Sequence, residues 1–204
     1  MKNIIMNRIS NYADIQNSIT KKLVNKANNP DAYGVEVGEP FDEMILTFLI
    51  DLENVDNNYS DDFVRISKDL TDTWGVNLET VAKDAIEEKP ILVSLMGASK
   101  CLYEGKELSD LPDFLETDGE PKMAYMLTNK TGILGASVIT NNGILERIRE
   151  KVGGGYWLIP SSIHEWIVIP DKEKRAEDLI NMIESVNAIV ADDEILGTKP
   201  IYIK

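Results

Sequence analysis

Residues 156–170 read YWLIPSSIHEWIVIP and contain the only histidine of the 204-residue chain. Two runs of aromatic and β-branched residues, 156–160 and 165–169, flank the short centre Ser161-Ser162-Ile163-His164. Tyr, Trp, Ile and Val suit a pleated, half-buried surface, so the pattern predicts two antiparallel strands that turn back on each other at the serines. The same residues admit a chemical reading, a catalytic site built from Ser161, Ser162, His164 and Glu165. A serine nucleophile needs a base in hydrogen-bond reach, an acid to orient that base and donors for the developing oxyanion. Proline precedes Ser161, so the Gly-x-Ser-x-Gly elbow is absent. A turn explains each residue more simply: Pro160 ends one strand, the serines satisfy free turn donors, and His164-Glu165 opens the return strand. The expectation is a hairpin with no catalytic residue assigned, and with Ser161, Ser162, His164 and Glu165 kept as candidate binding residues.

Outward from the hairpin, the chain reads as α+β: a largely antiparallel sheet covered by helices, arranged as one domain or two small lobes. Upstream, MAYMLTN (123–129) predicts a strand, GASVIT (135–140) a strand or short buried helix, and Asn142-Gly143 the start of a helix carrying Ile144, Leu145, Ile148 and Val152. Gly153-Gly154-Gly155 follows that helix and precedes a strand. This is the reverse of a phosphate loop, so the glycines are expected to be a helix exit. Downstream, Asp171 is placed to cap a helix over 172–190, and PIYI (200–203) reads as an edge strand.

In the first half, Ile15, Ile19, Leu23 and Ala27 recur every four residues and predict a helix over 10–27. Strands are expected at 33–37, 44–52 and 63–66, and at 91–96. Ser67 and Asn77 are placed to cap two helices, the first ending at Trp74 before Gly75. The resulting division is an N-terminal α+β region (1–102), an acidic linker or loop (103–122) and a C-terminal α+β region (123–204). Trp74, Trp157 and Trp166 are expected in the core, with Trp157 and Trp166 packing across their strands.

Net charge is −14 and unevenly placed. Residues 51–120 hold 18 acids against 6 bases, whereas the flanking segments are each close to neutral. Phosphate-tracking surfaces need the opposite sign, which argues against direct DNA or RNA binding. The acidic third is either a solvated surface that maintains solubility or a face that docks a basic protein. No apolar run approaches the roughly 20 residues of a bilayer span, and MKNIIMNRIS is too weak for a signal peptide. With Cys101 alone, no internal disulfide forms, and a cytoplasmic location is expected. One histidine and one cysteine, far apart, do not make a usual zinc set. Asp56, Asp61 and Asp62, like Asp192, Asp193 and Glu194, lack calcium-loop spacing. No metal or cofactor is assigned.

The string MAYMLTN…GA…GILERIREKVGGGYWLIPSSIHEWIVIPD, with ISKDLTDTWGVNLETVAKDAIE upstream, resembles a bacterial family catalogued as domain of unknown function 5688. The likeness covers roughly residues 63–204 and is strongest from 123 onward. It implies a shared fold, with members in gut-dwelling Gram-positive bacteria and often on mobile elements, and it implies no reaction. Ser161, Ser162, His164 and Glu165 fall on its most recognisable motif. The expected function is a non-catalytic protein-binding module, in one form an anti-defence accessory whose acidic surface engages a basic partner. A small hydrolase or transferase using the hairpin, and a small-ligand sensor, are the alternatives.

Overall fold

The computed structural model describes residues 2–56, 59, 62–117, 122–170 and 176–204, with side chains from residue 5 onward. In chain order its main elements begin with α1 (Lys2–Ile9), α2 (Tyr12–Ile15), β1 (Ile19–Asn25), β2 (Gly34–Glu36) and β3 (Met44–Asp51). Next come α3 (Leu52–Val55), β4 (Phe63–Arg65), α4 (Lys68–Trp74), α5 (Leu78–Asp84), β5 (Pro90–Ser94) and α6 (Leu95–Tyr103). The second half contributes β6 (Tyr125–Asn129), α7 (Ile144–Val152), β7 (Tyr156–Ser162), β8 (Glu165–Pro170), α8 (Ala176–Asn187) and β9 (Ile201–Ile203). This is the α+β class read from the sequence, built on two antiparallel sheets rather than one.

In the first sheet β3 is central. β1 pairs along its full length on one side, while β2 and β4 share its other side. The second sheet has the order β5-β6-β8-β7-β9. The hairpin of the opening stretch is β7–β8, and Ile201–Ile203 is an edge strand paired to β7. Strand periodicity sorts the second sheet's side chains into two faces. Leu92, Tyr125, Leu127, Tyr156, Leu158, Trp166 and Val168 enter a central core, which they share with Leu23, Val24, Met44 and Leu49 of the first sheet and with Ile144 and Ile148 of α7. On the opposite face, Ile91, Val93 and Met126 pack with Ala98 and Cys101 of α6, and Ile159, Ile167 and Ile169 with Leu179 and Ile183 of α8. The outer face of the first sheet buries Ile19, Phe48 and Ile50 against Ile5, Ile9, Ile15, Ile66 and Val81.

Several local expectations hold. Ser67 Oγ accepts from Leu70 N–H and Asn77 Oδ1 from Thr80 N–H, and Gly75 closes α4 in the left-handed region at φ 68°. Gly153 ends α7 at φ 80°, so the triple glycine is a helix exit. Residues 135–140 form a buried 3₁₀ turn.

Others do not. The helix expected over 10–27 is the short α2 followed by a 3₁₀ turn and β1. A spacing of four is also a multiple of the strand period, so Ile19 and Leu23 line one face of a strand as readily as a helix. Thr20 and Val24 are buried too, because β1 is covered on both faces. The strand expected over 91–96 stops at Ser94, whose hydroxyl accepts from Gly97 N–H and caps α6. Trp157 and Trp166 do not pack together. Trp166 is opposite Pro160, three residues from Trp157, and that odd spacing puts the indoles on opposite faces; Trp157 rests on Tyr202 with ring centroids 4.8 Å apart. The cap at Asp171 and the segment 171–175 lie outside the described residues.

Residues 1–102 supply strands to both sheets, because β5 pairs with β6. Of the acidic segment 103–122, the described part is stitched to β5: Phe114 N–H donates to the Leu92 carbonyl at 2.7 Å, and Asp113 Oδ1 accepts from Leu92 and Leu115 N–H at 3.0 Å.

Leu158 is fully buried at the middle of β7, between β8 and β9. Truncation there leaves a cavity in the shared core, so Leu158→Ala is expected to cost about 2–5 kcal/mol. Val35→Ala, on the partly exposed edge strand β2, should shift stability by about 0.5 kcal/mol or less. Urea melts of the two variants check the contrast.

Candidate functional site

The turn joining β7 to β8 is tighter than the sequence suggests: Ser162 pairs with Glu165, and only Ile163 and His164 lie between them. A register shift between Pro160 and Ser162 breaks the alternation, and Ser161 and Ser162 are both buried. Ser161 Oγ donates to Glu165 Oε1 at 2.6 Å, and Ser162 Oγ to the same oxygen at 3.1 Å. Ser162 Oγ also accepts from His164 N–H at 3.0 Å. The structure thus brings all four candidates together, with both hydroxyls on a carboxylate and neither donating to the imidazole. In a serine–histidine catalytic pair the hydroxyl would face the ring nitrogen.

The imidazole is engaged elsewhere. Its Nδ1 accepts from Leu134 N–H at 3.1 Å, and its Nε2 lies 3.8 Å from Glu194 Oε1. A nitrogen that accepts carries no proton, so this geometry assigns the neutral ring's hydrogen to Nε2, facing the carboxylate. Leu134 is the one non-glycine residue at positive φ among the described residues, at 54°. That conformation costs on the order of 1 kcal/mol; the buried leucine side chain and the bond to His164 offset it.

The rest of the tip is equally committed. The Ile163 carbonyl accepts from Ala136 N–H at 3.2 Å, and Ile163 N–H donates to the Glu194 carbonyl at 3.0 Å. Thr128 Oγ1 donates to the His164 carbonyl at 2.8 Å. Trp166 Nε1 donates to the Ala136 carbonyl at 3.0 Å. A Cβ on Gly135 would stand 2.1 Å from Thr128 Oγ1, 2.6 Å from Asn129 N and 2.7 Å from the His164 oxygen. Leu-Thr-Asn, Gly-Ala and Pro-Ser-Ser-x-His-Glu, separate in sequence, meet here as one hydrogen-bonded knot. Sequence reasoning missed Leu134 and Glu194 as partners. The Gly-Ala pair was visible, but its need for close backbone approach was not.

Beside the knot, Leu134 also walls a small cleft of about 90 Å³ whose lining includes Asp51, Glu53, Glu88 and Thr131. Burial, and secondarily the charge of Asp51, push the Glu88 carboxyl above the usual carboxylate range. Among the described residues no group of three His, Cys, Asp or Glu side chains is placed to hold a metal. Asp61 lies outside the described residues, and Asp192–Glu194 forms a 3₁₀ turn. Cys101 is buried, its Sγ 3.5 Å from the Glu107 carbonyl. No helix among the described residues is long and apolar enough to cross a membrane.

Two outcomes follow from these contacts. Gly135→Ala drives a methyl into backbone that has no room to yield, so a loss of about 1–3 kcal/mol or more is expected in chemical denaturation; Gly97→Ala, where an added Cβ would meet nothing nearer than 3.5 Å, serves as the uncrowded control. Glu88 has a raised folded value, so its ionisation opposes folding. The penalty is absent below the ordinary carboxylate range and complete above the raised value, and stability falls as pH rises between them. Glu88→Gln should therefore raise Tm at pH 7, with the gain shrinking toward pH 4 in a pH series of thermal melts.

No curated protein and no solved structure matches the chain. A family model, described as a family of unknown function, matches residues 1–203, extending the likeness from the C-terminal motifs through the first sheet. From the knot's residues to β1, the chain belongs to the family of unknown function DUF5688.

Proposed function

We propose that the protein is a non-catalytic module that binds a basic protein partner through an acidic surface centred on α6. One observation carries this reading. Met96, Tyr103 and Met123 are 83%, 93% and 85% exposed. Met96 and Tyr103 are seven positions apart, two helical turns on one face of α6, while Ala98 and Cys101 are buried on the other. Leu95 N–H donates to the Ala124 carbonyl at 3.1 Å, which sets Met123 beside the amino end of the same helix. Large apolar side chains grouped at a surface mark interaction sites more often than single ones do. Of the lysines at this surface, Lys100 and Lys106 lie against Glu104, and Lys122, next to Met123, lies over the Phe114 ring. Glu107 and Asp110 follow directly with no cationic partner among the described residues. An apolar centre with an unneutralised acidic rim fits a partner of opposite charge, and the excess of 18 acids over 6 bases in residues 51–120 extends the attraction.

Commitment of both hairpin hydroxyls to Glu165 supports a binding role over hydrolysis, and the same acidic field disfavours nucleic acid. In its specific form the reading is a cytoplasmic mobile-element accessory that opposes a basic host protein; the family resemblance and the charge support that form.

The test is comparative capture from bacterial lysate with wild-type protein and with the triple variant Met96→Ala, Tyr103→Ala, Met123→Ala. The replaced side chains are exposed, so folding should be unaffected to within about 0.5 kcal/mol each. A basic protein is expected on the wild type, weakened by raising salt above about 0.15 M and reduced at least about tenfold on the variant. Equal capture by the two proteins, or capture indifferent to salt, would overturn the proposal.

A further inference from the structure

The first sheet carries a pair of cations that the acidic surface leaves unused. Lys22 on β1 is opposite Thr47, and Arg65 on β4 is opposite Leu49. Thr47 and Leu49 are two apart on β3, so both cations rise from one face of the sheet. They flank β3 from either side, about 10 Å apart across the sheet (two strand spacings) and about 7 Å apart along it (two residues). Between their side chains is a cavity of about 290 Å³ that Leu49, Phe63 and Leu134 line on the apolar side and Thr47 on the polar side. No carboxylate lines it among the described residues.

That composition runs against the net charge of the chain. With 35 acids and 21 bases, carboxylates are in surplus, and Lys26, Lys68, Lys83, Lys89, Lys100 and Lys106 each have one within 4.0 Å. Lys22 has no hydrogen-bond or ion-pair partner from its ammonium group among the described residues, although it is only partly exposed. Arg65 donates to the carbonyl of Asp31, a neutral acceptor, and a guanidinium has further N–H donors to give. Two like charges facing one half-buried cavity repel each other, and the interaction becomes favourable once an anion sits between them.

We infer that this cleft is a binding site for a small organic anion. A carboxylate or phosphate headgroup sits between Lys22 and Arg65, and an apolar body lies against Leu49, Phe63 and Leu134. The volume is at the small end of ligand pockets, roughly 300–1,000 Å³, which suits a metabolite rather than a nucleotide or a peptide. Occupancy is readable at a distance, because Leu134 touches the ligand through its side chain and donates its N–H to His164 Nδ1. His164 is the only histidine, so its ring gives a single set of proton resonances.

The experiment titrates phenyl phosphate, benzoate and the uncharged benzyl alcohol into the full chain, following both Tm and the His164 ring resonances. Expected are a rise in Tm and a saturable resonance shift with at least one anion, the stronger responder naming the headgroup, and neither effect with benzyl alcohol. Salt should weaken the response. Lys22→Gln and Arg65→Gln should each lower the affinity at least about tenfold, a loss near 1.4 kcal/mol. Lys22→Gln leaves the bond from Thr47 Oγ1 intact, because that bond ends on the Lys22 main-chain carbonyl. An unchanged baseline Tm for this variant then separates lost binding from lost folding. No saturable shift by about 10 mM of either anion, enough to fill a millimolar site, overturns the inference. So does an affinity unchanged in Lys22→Gln. The cleft and the α6 surface use different sheets, so failure of one proposal leaves the other standing.

Discussion

Leu134 adopts φ 54° and donates its N–H to the chain's single imidazole, and the close fit around Gly135 follows in the next residue. The arrangement of the second sheet depends on that junction. It turns the chain out of β6 and drops the 3₁₀ turn Gly135–Thr140 into the core, where Ala136, Val138 and Ile139 are buried. Ala136 then supplies an N–H to Ile163 and a carbonyl to Trp166, tying the hairpin tip to the middle of the molecule. A buried 3₁₀ turn has backbone groups that the sheets do not satisfy. An unmet buried donor or acceptor costs about 1–3 kcal/mol, and the hairpin tip provides partners for several at once.

The polar residues of the tip follow from the same constraint. A two-residue turn with a register shift leaves two hydroxyls inside, and a buried hydroxyl is tolerated only when it is hydrogen-bonded. Glu165 receives both serines, and charge-assisted bonds of this kind are roughly twice as strong as neutral ones. His164 serves as an acceptor for a backbone donor that has no strand to join. A group of residues resembling a hydrolytic triad in sequence is thus arranged as hydrogen-bond bookkeeping for an irregular turn.

What was legible in the sequence was whatever depends on neighbours along the chain. Ser67 and Asn77 act within three residues, Gly75 and Gly153 at the next position, and the β7–β8 pairing across a two-residue turn. What was hidden depends on contacts across the fold. β1 looked helical because a period of four fits either structure, and only burial on both faces makes it a strand. Trp157 and Trp166 were correctly placed on adjacent strands, yet their relative register, set at the turn, decided which face each occupies. Of the knot, the four hairpin residues could be picked out because they are contiguous. Leu134 is 30 residues from His164 along the chain, and nothing about an isolated leucine announces a left-handed backbone.

The charge pattern resolves into two scales. Over tens of residues the acids dominate and set a field that favours basic macromolecules and repels phosphate backbones. Within the cavity on the first sheet the sign reverses, because Lys22 and Arg65 line it and no carboxylate does among the described residues. A long-range negative field slows the approach of a free anion, so a positive cleft inside it selects ligands that gain from contact rather than from steering. Phe63, Leu49 and Leu134 supply that contact. Leu134 belongs at once to this cleft, to the acidic cleft of Glu88 and to the knot at His164. Any displacement of its side chain therefore acts on a hydrogen bond that helps to fix the 3₁₀ turn between the sheets, which makes this residue a physical link between the interior of the first sheet and the hairpin of the second.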